Sequence, residues 1–262
     1  MTVETNMMGK KVLVTGAATG FGRGVAWALS KRGHQVIAGC QIWPQVWELR
    51  NAVLSAGIEM QVIKLDVLNE IDRKHALAIE IDVLFNNAGI MESGPIIEIP
   101  MSVFRSVFET NVFAALELAQ GFARVMAQRG NGRIVWTSSV AGLVKVPFDG
   151  AYAASKHAVE GICSAMHDEL MPYGVQVVTV NPGAYRTGFN DTGMKSMDQW
   201  WDQGDRVVAH WPVRELNRQH DPAEMISAII AVIEQDKPSY RTVRPASAEE
   251  MVKKEQSDVW KR

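Results

Sequence analysis

The sequence predicts an α/β domain in which a doubly wound parallel sheet carries helices on both faces. Three observations point there. Short β-branched runs alternate with longer stretches of helical periodicity from Lys11 to Arg244. The first run, Lys11 to Thr15, passes through a glycine-rich turn, Gly16 to Gly22, directly into a helix. Later runs end in small polar residues, Asn86-Asn87, Ser138-Ser139 and Asn181, where the carboxyl ends of parallel strands meet a ligand crevice.

The composition bounds the answer. A chain of 262 residues, 47% hydrophobic and 21% charged, can bury one large core, so residues 1–262 read as a single domain. A formal charge of −2 argues against a dedicated nucleic-acid surface. Cys40 and Cys163 are too few and too far apart for a disulfide framework or a zinc site, which fits a reducing cytoplasm. No apolar run reaches the roughly 18 residues of a membrane span, and the polar stretch Thr2 to Asn6 does not read as a secretory signal.

Strand, glycine turn and helix at 11–33 form the first half of a dinucleotide-binding unit. The backbone can approach a pyrophosphate where side chains are absent, and a helix N-terminus favours negative charge. The second strand, Gln35 to Cys40, ends where such folds select the ribose. It offers Cys40 and Gln41, neither acid nor base. The missing acid leans the choice towards NADP over NAD, although no Arg or Lys stands at 17–19 or 40–42. A helix over 43–56 follows, then a third strand from Gln61 to Asp66 that delivers Asp66 and Val67 to the crevice. At most a short helix fits in 69–80, before a fourth strand, Asp82 to Phe85. There the pair Asn86-Asn87 can hold the sheet edge and touch a cofactor.

Met101 to Arg129 reads as one long helical segment whose apolar stripe is interrupted by Asn111, an amide that must find partners if it faces inwards. Arg133 to Thr137 is the fifth strand. A helix beginning near Tyr152 runs to Tyr173-Gly174, and Val175 to Val180 is the sixth strand. From Gly188 to Pro212, Phe189, Met194, Met197, Trp200, Trp201 and Trp211 lie among polar residues without clean periodicity. Such a segment suits a lid, and equally an ordinary packing or subunit surface. A helix from Asp221 to about Gln235, a last strand at Arg241 to Arg244 and a charged, peripheral tail with Trp260 complete the chain.

Chemistry concentrates between Thr137 and Lys156. On a helix, Tyr152 and Lys156 stand one turn apart on one face. A cation about 4 Å from a phenol, at an effective dielectric of about 20, is worth roughly 4 kcal/mol. That would lower the phenol from about 10 by nearly three units, into range for general acid–base work at neutral pH.

With T-G-x-x-x-G-x-G at 15–22, N-N-A-G at 86–89, Asn111, Ser139, Y-x-x-x-K at 152–156 and P-G-x-x-x-T at 182–187, the chain resembles the short-chain dehydrogenase/reductase family over about residues 10–190. The resemblance implies a Rossmann-type sheet of seven parallel strands and hydride transfer between a nicotinamide and the carbon of a secondary alcohol or ketone. It implies Tyr152 as the acid/base, Ser139 holding the substrate oxygen, Lys156 on the nicotinamide ribose and Asn111 holding a water that links Lys156 to solvent. The cofactor contacts it implies are Gly16, Thr19, Gly20, Phe21, Gly22, Asp66, Val67, Asn87, Tyr152, Lys156, Tyr185 and Thr187, with Gln41 at the ribose. A homodimer or homotetramer is expected, although the short interval from Asp66 to Asn87 trims a helix near the family's subunit contacts. The Trp- and Met-rich lid suggests an apolar or cyclic substrate. An alternative from another class is a cofactor-binding regulatory protein without turnover. The intact Asn111, Ser139, Tyr152 and Lys156 argue against it.

Overall fold

The structure is a computed structural model and describes residues 9–201, 207–208 and 219–259. Trp211, Trp260, the Thr2 to Asn6 stretch and much of the expected lid lie outside these residues. The sheet grows outwards from β1 (Lys11–Val14), whose Val12, Leu13 and Val14 are fully buried because both faces are covered. β2 (Gln35–Cys40) and β3 (Gln61–Lys64) lie on one side of it; β4 (Val83–Asn86), β5 (Gly132–Thr137), β6 (Val175–Pro182) and β7 (Arg241–Arg244) lie on the other. The order is β3-β2-β1-β4-β5-β6-β7 with every pairing parallel, the seven-stranded doubly wound sheet expected. The chain reverses direction across the sheet between β1 and β4, which places the ligand crevice beyond the carboxyl ends of those strands.

One face carries α1 (Gly20–Lys31), α2 (Trp43–Ser55) and α8 (Pro222–Glu234). Val25, Ala26 and Leu29 of α1 pack with Met225, Ile229 and Ile233 of α8 over β1, β4 and β5. The other face carries α3 (Glu70–Leu77), α5 (Ala115–Arg129) and α6 (Gly150–Leu170), sealed by Leu118, Phe122, Met126, Val159 and Cys163. Among the described residues, no helix is long and apolar enough to cross a membrane.

Three local expectations change. The segment from Met101 to Arg129 is not one regular helix: α4 (Met101–Phe108) passes into a π-helical turn at Glu109–Ala114 before α5 begins. Two side chains account for it. Thr110 Oγ1 donates back to the Ser106 carbonyl, and Asn111 is turned inwards to bond the Ile90 backbone. Within the expected lid, Phe189–Lys195 forms a short helix, α7, followed by a 3-10 turn at Ser196–Gln199. The tail is helical and docked at one edge: α9 (Ala246–Asp258) is mostly exposed but buries Val252 against Val140, Leu143, Val144 and Val243.

Candidate active site

The site is assembled at the carboxyl ends of β1, β4, β5 and β6. Thr15, fully buried just after β1, accepts hydrogen bonds at Oγ1 from the backbone N–H groups of Asn87 and Ala88, both at 2.9 Å. Asn87 returns Nδ2 to the Thr15 and Gly16 carbonyls, and its Oδ1 accepts from Thr137 Oγ1. Three strand ends are thus stitched by one amide. Its neighbour Asn86 does not serve the crevice as expected. Its Nδ2 donates to the Ala115 carbonyl at 2.8 Å, beside the π turn, so it braces α5 instead.

The glycine turn fits a dinucleotide phosphate. Gly16 and Gly20 have φ of 64° and 54°, the left-handed region that favours glycine. A Cβ on Gly22 would lie 2.3 Å from the Gly16 carbonyl oxygen and 2.7 Å from Asn87 Nδ2, so a side chain is excluded there. Thr19 begins α1 without a side-chain cap, which leaves the first-turn N–H groups for an anion. Thr187 approaches Gly20 from the loop after β6, within 3.3 Å of where a Cβ would stand. Phe21 packs edge-on against Tyr185, ring centres 5.5 Å apart. The Tyr185 side chain faces the core and its hydroxyl donates to Glu224, so only its backbone remains for the crevice.

Just beyond β2, Gln41 is exposed, and the N–H groups of Gln41 and Ile42 are capped by Gln45 Oε1. Val67 is buried and its carbonyl accepts from Arg73; Asp66 accepts from the Leu68 N–H. The sequence reading missed two cations here because they stand outside 17–19 and 40–42. Burial pushes the Cys40 thiol up to about 11, with smaller electrostatic contributions from Arg23, Glu48 and Arg50. Arg23 pairs with Glu48 at 3.1 Å, and Arg50 donates to the Val62 carbonyl. Arg23 stands on the first turn of α1, beside the glycine turn, a position that a search limited to the strand ends does not see.

Asn111, Ser139, Tyr152 and Lys156 converge. Asn111 accepts from the Ile90 N–H at 2.8 Å and donates to the Ile90 carbonyl and to Ser155 Oγ. Lys156 Nζ donates to the Thr137 carbonyl at 2.8 Å and lies 5.6 Å from the centre of the Tyr152 ring. Ser139 Oγ accepts from the Ala141 N–H and donates to the Pro182 carbonyl at 3.4 Å, a long bond that a substrate oxygen could replace. Tyr152 is 8% exposed, under Met91, Phe189 and Met194.

The acidity shift of Tyr152 runs opposite to the one expected from its spacing to Lys156. Burial pushes the phenol up to about 12; a hydrogen bond with Ser139 lowers it and the Asp149 carboxylate raises it. Burial also pulls Lys156 down to about 8, against the opposing pull of Cys163 and Glu160. Desolvation outweighs an ammonium held on a carbonyl rather than on the phenol.

A short chain dehydrogenase family model matches residues 10–197. The chain belongs to the short-chain dehydrogenase family. This dehydrogenase is therefore an NAD(P)-dependent oxidoreductase working between alcohols and carbonyls. It is 38% identical over 190 residues to the uncharacterized oxidoreductase YbbO of Escherichia coli strain K12, covering 71% of this chain and 69% of that one. It is 27% identical over 248 residues to human 17-beta-hydroxysteroid dehydrogenase type 1, covering 88% and 76%. A solved short-chain dehydrogenase from Streptomyces avermitilis superposes with a TM-score of 0.82 at 28% identity, over 98% of this dehydrogenase and 95% of that chain.

Proposed function

We propose that this dehydrogenase reduces an apolar, cyclic or otherwise bulky ketone, with Tyr152 as proton donor. One observation carries the reading: the Tyr152 phenol, protonated at neutral pH, lies beside Ser139 under a cover of Met91, Phe189 and Met194. Those walls bear no charge, so they favour an apolar substrate body, and the two hydroxyls are its polar anchor. The kinship with a hydroxysteroid dehydrogenase supports the same class.

Bound nicotinamide would supply or accept the hydride. Gly16, Thr19, Gly20, Phe21, Gly22, Asp66, Val67, Asn87, Thr187 and the Tyr185 backbone would hold the cofactor, with Gln41 at the ribose. Ser139 orients the substrate oxygen, and Tyr152 gives it a proton as the carbonyl carbon is reduced. Lys156, largely charged below its pKa of about 8, stabilises the phenolate left behind. Asn111 holds the Ile90 loop and the widened turn in place, where a water could relay the proton outwards. In the oxidative direction the steps reverse.

The test is a panel of ketones and secondary alcohols with NADPH and NADH, followed at the nicotinamide absorbance. Tyr152→Phe is expected to keep cofactor binding within about twofold and to lose turnover on the order of a thousandfold. Near-normal turnover in that variant sinks the assignment. NADP is the proposed cofactor, supported by the missing acid at Cys40 and Gln41 and by Arg23 on the first turn of α1. A cytoplasmic homodimer or homotetramer is also proposed, supported by the exposed Met101, Phe113 and Val125 along α4, the π turn and α5. Light scattering that returns a single-chain mass would reject that assembly.

A further inference from the structure

Behind the reacting groups runs a buried polar chain for which the mechanism above has no use. Glu160 stands one helical turn beyond Lys156 on α6, 8% exposed. Its Oε1 accepts from Asn181 Nδ2 at 2.6 Å, and its Oε2 accepts from the Arg241 guanidinium at 2.6 Å. The same Asn181 Nδ2 donates to the Ser139 carbonyl at 3.1 Å. Asn181, fully buried at the end of β6, therefore spends both amide protons on two acceptors, one of them the backbone of the catalytic serine. The next residue, Pro182, accepts from the Ser139 hydroxyl.

Mere packing does not explain this amide. Asn181 Oδ1 is buried and has no partner, a cost that an apolar side chain at the end of β6 would avoid. The amide cannot turn over to relieve it, because its oxygen would then face the Ser139 carbonyl and the Glu160 carboxylate. The carboxylate therefore dictates which way the amide points, and the amide fixes the Ser139 carbonyl.

We propose that Glu160 is a positioning residue for the reaction: anchored by Arg241, it orients Asn181, which clamps the Ser139 backbone and sets the hydroxyl that receives the substrate oxygen. The inference rests on the role given to Ser139 above. Glu160 is also a carboxylate that favours the ammonium form of Lys156. The other titratable groups around them are Tyr152 and Cys163 on α6, Asp149 before it, and Tyr240 and Arg241 at the β7 edge.

Glu160→Gln is the discriminating variant. Glutamine has one acceptor where the carboxylate offers two, so a donor must face either Asn181 or Arg241. Relief comes from an inverted Asn181, which releases Ser139. Using the ketone that wild type turns over fastest, kcat should fall on the order of ten- to hundredfold, with NADPH affinity within about twofold. The alkaline limb of the kcat profile should move to lower pH, because the charge favouring the Lys156 ammonium is gone. Glu160→Asp should regain part of the rate. The Asn181 side-chain amide protons, followed by NMR exchange, should lose protection in Glu160→Gln. That readout needs no turnover, so it separates failure of the clamp from failure of the Tyr152 assignment, which Tyr152→Phe tests alone. Wild-type kcat with an unmoved limb and a still protected amide would overturn the proposal. So would a rate loss matched by lost folded fraction with the pH profile unchanged. If Glu160→Gln does not fold, Arg241→Gln at the partly exposed end decides: a threefold or larger fall in kcat supports the clamp, and an unchanged kcat refutes it.

Discussion

At the scale of single residues, the proposed ribose end of the crevice offers the sharpest contrast. Arg23 lies on the first turn of α1, tied to Glu48 on α2, in a helix–helix pair that is partly exposed. A 2′-phosphate brought there would compete with Glu48 for the guanidinium, gaining a charge-assisted hydrogen bond that a bare ribose cannot offer. Arg23→Ala is expected to weaken NADPH binding on the order of tenfold and NADH binding by less than about twofold, as read by tryptophan fluorescence titration. Equal losses for both cofactors, or clearly tighter NADH binding by the wild type, would contradict the preference. Cys40, at the end of β2, takes no part in such chemistry, since burial holds its thiol protonated.

At the scale of elements, the glycine turn works because two backbones nearly touch. Gly22 on α1 faces the Gly16 carbonyl and the Asn87 amide at distances a methyl group cannot share. Gly22→Ala must push α1 away from β4, so it should cost on the order of 1–3 kcal/mol and lower the melting temperature by several degrees. Cofactor affinity should fall by more than tenfold, because the displaced N–H groups no longer converge on one anion. Unchanged melting and binding in Gly22→Ala would show that the turn does not need this approach. This part of the fold was legible in the sequence: the spacing Gly16, Gly20, Gly22 after a β-branched run states the turn and the helix that follows it. So were β2 and β7, bounded as expected at Gln35–Cys40 and Arg241–Arg244. The π turn was not legible, because its cause is tertiary: Asn111 reaches a loop 21 residues away, and no helical periodicity encodes that. The buried face of α9 was hidden for a similar reason. Val252, with Ala248 beside it, decides it in a mostly polar stretch. The direction of the Tyr152 shift was misread because spacing reveals a neighbouring charge but not how much water the fold removes.

For the whole molecule, two buried groups of the site, Lys156 and Tyr152, each make stability without cofactor depend on pH with a definite sign. Lys156 is lowered from 10.5 to about 8 by burial, so between those values the unfolded chain holds a proton that the fold lacks. Stability from this group therefore rises with pH across that window. Tyr152 is raised from 10.0 to about 12, so between these the fold keeps a proton that the unfolded chain loses, and stability falls as pH rises. Lys156→Met should be more stable than wild type at pH 7 and should lose the gain between about pH 8 and 10, measured by thermal unfolding without cofactor. An advantage of Lys156→Met over wild type that does not shrink across that interval would contradict the buried ammonium. The cover over Tyr152 has a consequence of another kind. Phe189 lies 5.8 Å from the phenol ring, centre to centre, and Trp200 packs onto Gly94 beyond it. A cover of this kind predicts that product leaves only as those rings swing aside, which would make friction in the medium part of the clock. With a good substrate at saturation, added glycerol should slow the cycle in proportion to viscosity, whereas a poor substrate, limited by the bond-making step, should be indifferent to it.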